Sequence, residues 1–246
     1  MILMRTLHHV AMRLAARVLA TLALGLAVVA AAQAAVHVQT SRVIYPAKAA
    51  SASVAISNKS TLPYLVQAWL DTGDPSVIPD DLPIAITPPL LRLSPGEEAL
   101  LRAVYAGQGL PTDRESVLWI NVQEIPPSSD ASNALQIAIR TRIKLFYRPA
   151  SLQVSLDEAA RALQWRVDGK TLVITNPSAL HITFSHVQGQ SVAGGGQGID
   201  LDMIAPGQTL AVPLAQLRLS DASVLRFGYI NDYGGTSEII DATLQR

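Results

Sequence analysis

Side chains that could perform catalysis are scarce in this chain of 246 residues. Beyond residue 34 the histidines are His37, His181 and His186; the chain has no cysteine, and no Gly-x-Ser-x-Gly motif marks a nucleophile. His181 and His186 differ by an odd number within one strand-like run, and alternate side chains of a strand point to opposite faces. We therefore expect no two-histidine metal site, and neither a metal nor any other cofactor.

The remaining polar motifs favour structural interpretations. Asp80-Asp81 and Glu97-Glu98 lie beside proline and glycine turn residues, so we interpret them as solvated loop charges rather than acid–base pairs. Asn58-Lys59-Ser60 matches a glycosylation acceptor, a motif short enough to occur by chance. The sequence predicts a protein that is not an enzyme.

The first 34 residues have the features of a secretory signal peptide. A run without charged residues extends from residue 18 to 32. It is preceded by Arg5, Arg13 and Arg17 and leads into Ala32-Gln33-Ala34, which has the small residues of a cleavage site. The apolar run of about 15 residues is shorter than the roughly 20 residues of a spanning helix, which makes an uncleaved anchor the weaker alternative. We predict cleavage after Ala34 and export of the remaining chain.

Charge and cysteine content bound the class of partner and the source of stability. Removal of the signal takes away three arginines and no acid, which leaves the mature chain slightly acidic. A nucleic-acid partner would require a basic face, so we expect none. Without cysteine there are no disulfides, and folding must depend on burial of apolar side chains.

Strand-like alternation of apolar and polar residues dominates the mature chain. It covers residues 51–57, 64–70, 99–105, 116–125 and 135–149, with Pro and Gly turns between them. This spacing is typical of an antiparallel sandwich, and only residues 156–163 have a helical pattern. Trp69, in the middle of one strand, is interpreted as a core filler.

The longest strand-like run is LQIAIRTRIKLFYRP, residues 135–149. One parity holds apolar side chains and the other holds basic ones: Leu135, Ile137, Ile139, Ile143 and Leu145 against Arg140, Arg142, Lys144 and Arg148. The apolar parity either packs on the protein's own core or forms an edge offered to another chain. Because Pro149 must end the strand, we predict two all-β domains, residues 35–149 and 150–246.

Several stretches together resemble the PapD-like periplasmic pilus (fimbrial) assembly chaperones of the chaperone/usher pathway. They are RVIYPA, LPYLVQAWLD, ITPPLLRLSPGE, DRESVLWINVQEIPP, LQIAIRTRIKLFYRP and YINDYGG, in the family's order from residue 41 to 235. The resemblance implies an all-β fold of two immunoglobulin-like β-sandwich domains in a boomerang arrangement. It also implies a periplasmic chaperone that stabilises pilin subunits by donor-strand complementation and delivers them to an outer-membrane usher.

The resemblance further implies roles for particular residues. The donor strand would run from Leu135 to about Lys144 and lend its apolar side chains to the subunit, and two basic residues would anchor the subunit's C-terminal carboxylate. An interdomain ionic cluster would join the two domains, and a cis peptide bond is expected at Thr87-Pro88. The implied residues are Leu135, Ile137 and Ile139 as donors, Arg42 and Lys144 as anchors, and Glu115, Arg148 and Asp232 as the ionic cluster.

Some points depart from the family pattern or stay open. Strict alternation places Lys144 on the face opposite Ile139, so we expect a bulge or strong twist near Thr141. The family often has two cysteines near its C-terminus, which are absent here, and the short stretch before Leu135 resembles the subfamily that serves rod-like, adhesive pili. The alternatives are an exported β-sandwich module that binds a carbohydrate or surface receptor, and an exported hydrolase. Whether the unloaded protein self-associates through its exposed strand is left open.

Overall fold

A computed structural model describes residues 34–128, 133, 135–190, 198–199, 201–214, 224–242 and 244–245. The predicted signal peptide, apart from Ala34, lies outside the described residues. Within the described ranges, no helix has both the length and the apolar content needed to cross a membrane.

The first half of the chain is a sandwich of two sheets, ordered β1-β3-β7-β5 and β2-β9-β8-β4-β6. Neighbouring strands are antiparallel except β2 and β9, which are parallel. The strands are β1 (Val36–Val38), β2 (Arg42–Pro46), β3 (Ala52–Asn58), β4 (Tyr64–Asp71), β5 (Ile84–Thr87), β6 (Leu90–Leu93), β7 (Glu98–Tyr105), β8 (Ser116–Ile125) and β9 (Arg140–Arg148). The peptide bond between Thr87 and Pro88 is cis.

The second half forms another sandwich, with sheets ordered β15-β11-β10-β18 and β13-β12-β16-β17, and β14 paired with β12. Its elements are α1 (Leu156–Arg161), β10 (Gln164–Asp168), β11 (Thr171–Thr175), β12 (Ile182–Gln190), β13 (Gly198–Ile199), β14 (Met203–Ile204), β15 (Thr209–Pro213), β16 (Val224–Ile230), β17 (Thr236–Ala242) and β18 (Leu244–Gln245). Helix α1 begins where Ser155 and Glu158 form a capping box.

Each half has its own apolar core, because alternate residues of its strands face inward. The first core includes Val66 and Leu70 of β4 and Ile143 and Leu145 of β9, all of them buried. In the second, the rings of Trp165, Phe184 and Phe227 pack together with centroids 4.9–6.1 Å apart. The predicted all-β fold of two immunoglobulin-like sandwiches is confirmed.

The run 135–149 differs from the expectation of one long strand. The regular strand β9 begins at Arg140, and residues 135–139 precede it without regular strand pairing. A last backbone contact continues the ladder, in which the Glu124 N–H donates to the Ile139 carbonyl at 2.9 Å. Strand β8 ends at Ile125, which the register places opposite residue 138, so residues 135–137 lie beyond the end of β8.

Of the expected bulge or strong twist near Thr141, the bulge is wrong, and the twist stays a prediction. Strands β8 and β9 pair without a register shift from Gln123 opposite Arg140 to Ser116 opposite Tyr147. Lys144 therefore does point to the opposite side from Ile143, as strict alternation requires. The two parities of β9 serve two different surfaces, and no local irregularity is needed to separate them.

The interpretation of Trp69 as a core filler is also wrong. Its neighbours Val66, Ala68 and Leu70 supply the inward parity of β4, which leaves Trp69 half-buried on the outer face of the sheet. There the Arg140 guanidinium lies 5.9 Å from the centre of the indole ring. An indole that is covered by an arginine can remain on an outer face because the cation packs on its π surface.

Candidate functional site

Arg42 and Lys144 lie side by side on the outer face of the sheet β2-β9-β8-β4-β6. They are direct neighbours in the parallel pairing of β2 and β9, and each is only 8% exposed. Strand pairing thus fixes two positive charges side by side in a place that water scarcely reaches. Such a pair of cations can bind one carboxylate through charge-assisted hydrogen bonds.

The Arg42 guanidinium is incompletely satisfied. One Nη donates to the Ile230 carbonyl at 2.8 Å, and the group lies 5.5 Å from the centre of the Phe146 ring. Its buried Nε has no hydrogen-bond partner among the described residues. Burial lowers the pKa of Arg42, an effect opposed by the charges of Asp232 and Glu115. An added anion would therefore find an arginine with hydrogen-bonding capacity to spare.

The Lys144 ammonium is held by an acid from the second half of the chain. Its Nζ lies 2.6 Å from Oδ1 of Asp202 and 5.0 Å from the centre of the Trp119 ring. The Asp202 side chain is 75% exposed, whereas that of Lys144 is largely covered. No sequence pattern indicates this pair, because Asp202 is far from Lys144 in the chain and belongs to no recognised motif.

A row of register partners extends the site across the sheet. Asp71 lies opposite Trp119, which lies opposite Lys144. The buried Asp71 carboxylate accepts hydrogen bonds from Asn121 at 2.7 Å and from Arg142. Burial alone would raise the pKa of Asp71, but the donors Arg142 and Asn121 lower it below its usual value.

Trp119 is covered by cations on this face. The Arg142 guanidinium lies 4.2 Å from the centre of the Trp119 ring, and Arg142 and Lys144 project from the same face of the sheet. Beside them is an open cavity of about 320 Å³. Its lining residues are Ser41, Arg42, Trp119, Arg142, Ile143, Lys144, Ile230 and Gly234. The two predicted anchor residues thus share one cavity.

The three predicted donor residues project beyond the sandwich. Leu135 is 86% exposed, Ile137 63% and Ile139 38%, so exposure falls as the chain approaches β9. They have the same parity as Ile143 and Leu145, but no core of their own domain lies beneath them. The part of the chain that the structure describes therefore leaves three large apolar side chains in water.

The three predicted ionic residues are brought together. Arg148 donates from Nε to Glu115 at 3.0 Å and from both Nη atoms to Asp232 at 2.7 and 2.9 Å. Burial of the guanidinium lowers the pKa of Arg148, but the ion pairs with Asp232 and Glu115 outweigh burial, and the pKa is raised. The cluster joins the end of β9 to the turn between β16 and β17.

His181 is a further member that sequence reasoning missed. Its backbone N–H and its ring Nδ1 both contact one carboxylate oxygen of the buried Glu115, at 2.9 and 3.1 Å. The imidazole also packs on Phe146, with centroids 5.8 Å apart. His186, by contrast, contacts Glu238 on a different strand, so the two histidines lie in separate environments.

Comparison with known proteins places this geometry in a family. The model for the pili and flagellar-assembly chaperone PapD N-terminal domain matches residues 35–153, and that for the pili assembly chaperone PapD C-terminal domain matches residues 158–240. The probable fimbrial chaperone YadV of Escherichia coli K12 is 40% identical over 211 residues, covering 80% of this chain and 85% of YadV.

Solved structures agree with the sequence comparison. The Pseudomonas aeruginosa CupB2 chaperone is 33% identical with a TM-score of 0.73, covering 85% of this chain and 100% of CupB2. The structure of the Salmonella enterica SafA pilin in complex with the SafB chaperone matches with a TM-score of 0.72 and 27% identity, covering 86% of this chain and 98% of the matched chain. With both domain models matched across most of its length, this chain belongs to the PapD-like family of pilus assembly chaperones.

Proposed function

We propose that this chaperone captures newly exported pilin subunits in the periplasm by donor-strand complementation and passes them to an outer-membrane usher. The observation that carries the proposal is the apolar row Leu135, Ile137 and Ile139, exposed beside two cations on β2 and β9. The protein would act by lending a strand, with no catalytic step.

The pairing of β9 leaves a place for a partner strand. Strand β2 covers one side of β9 only from Lys144 to Arg148, and β8 covers the other side from Arg140 to Tyr147. Among the residues that the structure describes, no strand pairs with residues 135–143 on the side in line with β2, and another chain could be added there. Main-chain hydrogen bonds along such an edge, with alternate side chains in pockets, are the basis of strand addition.

The anchor residues define the direction of the partner strand. Arg42 begins β2, and Lys144 is its partner, so both cations lie where a strand added along residues 135–143 would meet the start of β2. A subunit whose C-terminal carboxylate binds there must run parallel to β9. The carboxylate would set the register, and a slip of one residue would turn the lent side chains away from the subunit's core.

Burial of the donor side chains supplies the affinity. Transfer of a large aliphatic side chain from water to a core stabilises by roughly 1.5–3 kcal/mol, so three lent residues together would supply most of the binding free energy. Apolar burial would thus provide strength and the cationic pair would provide register.

We also propose a signal peptide of residues 1–34 and domains of residues 35–149 and 150–246.

Lys144→Ala tests the proposal. The chaperone would be produced with candidate pilin subunits, recovered from the periplasm by affinity purification, and the bound subunit identified by mass spectrometry, including its C-terminal peptide. We expect Lys144→Ala to abolish subunit recovery while the variant itself accumulates normally. Lys170→Ala is the matched control, because Lys170 is exposed in the turn between β10 and β11 and is not among the residues that line the cavity. Unchanged recovery by Lys144→Ala would contradict the anchoring role.

A further inference from the structure

Asp202 places a carboxylate on the cation that the proposed function assigns to the subunit's terminus. Its Oδ1 is 2.6 Å from the Lys144 ammonium. The backbone of Asp202 is fixed, since its carbonyl accepts a hydrogen bond from the Phe184 N–H at 2.8 Å. Only the side chain, which is mostly exposed, needs to move for the contact to break.

We propose that Asp202 is an internal competitor for the carboxylate site: its side chain occupies Lys144 in the unloaded chaperone and is displaced when a subunit's C-terminal carboxylate binds. This inference rests on the anchoring role of Lys144 in the proposed function. It concerns a residue from the second domain acting on a site built by the first.

The two cations are held differently in the unloaded protein, and this difference determines what can displace Asp202. Lys144 is hydrogen-bonded to a charged group, whereas Arg42 is hydrogen-bonded to the neutral carbonyl of Ile230 and keeps a buried Nε without a described partner. Among the described residues, the Asp202 side chain is bonded to Lys144 and not to Arg42. A terminal carboxylate that reaches both cations gains the Arg42 contact in addition, which Asp202 does not make.

Competition of this kind discriminates against weak ligands. A side-chain carboxylate that reaches only Lys144 would exchange one ion pair for an equivalent one and gain little. A chain terminus aligned along β9 gains the second cation and the apolar burial together. Asp202 thus raises the threshold for binding and favours a correctly registered terminus over carboxylates in general.

Removal of the competitor should strengthen the binding of a simple carboxylate. Because Asp202 is exposed and its ion pair is partly screened by water, Asp202→Asn should tighten binding by only about fivefold. The substitution keeps the size of the side chain at an exposed position, so folding should be unaffected.

Acetate is a suitable probe and Trp119 a suitable reporter. The mature chaperone would be labelled with ¹⁵N at its three tryptophans, and the Trp119 indole signal assigned with Trp119→Phe. Acetate would then be titrated at low ionic strength into the wild-type protein and Asp202→Asn, with acetamide as the neutral analogue. Asp168→Asn is the matched control, since it removes the same charge from an exposed side chain that contacts Arg166 instead.

We expect the Trp119 signal to move with acetate but not with acetamide, at an acetate concentration about fivefold lower in Asp202→Asn than in wild type or Asp168→Asn. An equal midpoint in Asp202→Asn, or no acetate-dependent shift in that variant, overturns the inference. Failure of the proposed function gives a different result: Lys144→Ala would keep capturing subunits even if acetate exchange with Asp202 were observed.

Discussion

Asp71 carries a negative charge where almost no water reaches it. Its carboxylate is buried behind Arg142 and Asn121, and the backbone N–H of Gly73 donates to it at 2.7 Å. The guanidinium that satisfies this acid also covers the ring of Trp119, which in turn faces Lys144. The arginine that Asp71 of β4 holds in place is therefore itself part of the lining of the cavity beside Lys144.

Asp71→Asn should lower the stability of the protein in a pH-dependent way. The folded-state pKa of Asp71 lies below its ordinary value, so the stabilisation is present above about pH 4 and is lost as the pH falls through the lowered pKa. At neutral pH the variant should lose about 2 kcal/mol of unfolding free energy, the size expected for a charged hydrogen bond.

Urea unfolding at several pH values would measure this effect. The difference between wild type and Asp71→Asn should shrink towards zero below pH 4, when Asp71 itself becomes protonated. Asp80→Asn is the control, because Asp80 is an exposed carboxylate in the loop before β5. A difference that is constant with pH would mean that Asp71 acts through packing rather than through its charge.

At the scale of elements, β9 and the residues before it divide into parts with different surroundings. Residues 143, 145 and 147 fill the core of the first sandwich, while residues 135, 137 and 139 continue the same parity into solvent. Sequence alternation predicted both parts correctly as apolar on one side. It could not predict that the strand begins at Arg140, because this depends on where β8 ends in space.

Ile137→Asp should remove subunit capture without affecting the chaperone's own stability. Ile137 is 63% exposed and belongs to no core, so a charge there harms only a partner that must bury it. The matched control is Ile78→Asp, because Ile78 is 62% exposed in a loop of the same domain. Thermal unfolding should give the same midpoint for both variants, whereas co-purification should lose the subunit only with Ile137→Asp. Equal capture by the two variants would show that residue 137 is not lent.

One turn in each sandwich is built around a buried asparagine, an arrangement that the sequence analysis did not predict. The buried Asn58 amide donates to the carbonyls of Leu62 and Leu93, and Asn176 donates to those of Leu180 and Ala205 in the same manner. Each asparagine is followed two residues later by a serine that donates to its side-chain oxygen. Asn58-Lys59-Ser60 thus acts as a structural turn motif, and its match to a glycosylation acceptor is coincidental.

For the whole molecule, the ionic cluster is one set of contacts between the two sandwiches. Glu115 from the first half contacts Arg148 and the backbone of His181, while Arg148 also contacts Asp232. Sequence motifs identified three of these residues because they lie in recognisable stretches. His181 was missed, since a lone histidine before a strand has no distinguishing pattern and acquires its role only through the contact with Glu115.

Arg148→Met should weaken the union of the two halves. It leaves the buried Glu115 with only His181 as a partner, and breaking a buried ion pair typically destabilises by about 3–5 kcal/mol. In differential scanning calorimetry we expect the wild type to unfold in one transition and the variant in two, with the first at lower temperature. The matched control is Arg166→Met, because Arg166 forms an exposed ion pair with Asp168. A single unshifted transition in Arg148→Met would contradict a joining role.

The exposed residues before β9 have an evolutionary consequence. Leu135, Ile137 and Ile139 contribute nothing to the core of their own domain, so substitutions there are not constrained by the need to fold. Residues 143, 145 and 147, a few positions further along, are constrained in full. With the donor role that we propose for these residues, partner preference could diversify in one short segment while the stability of the chaperone is inherited unchanged.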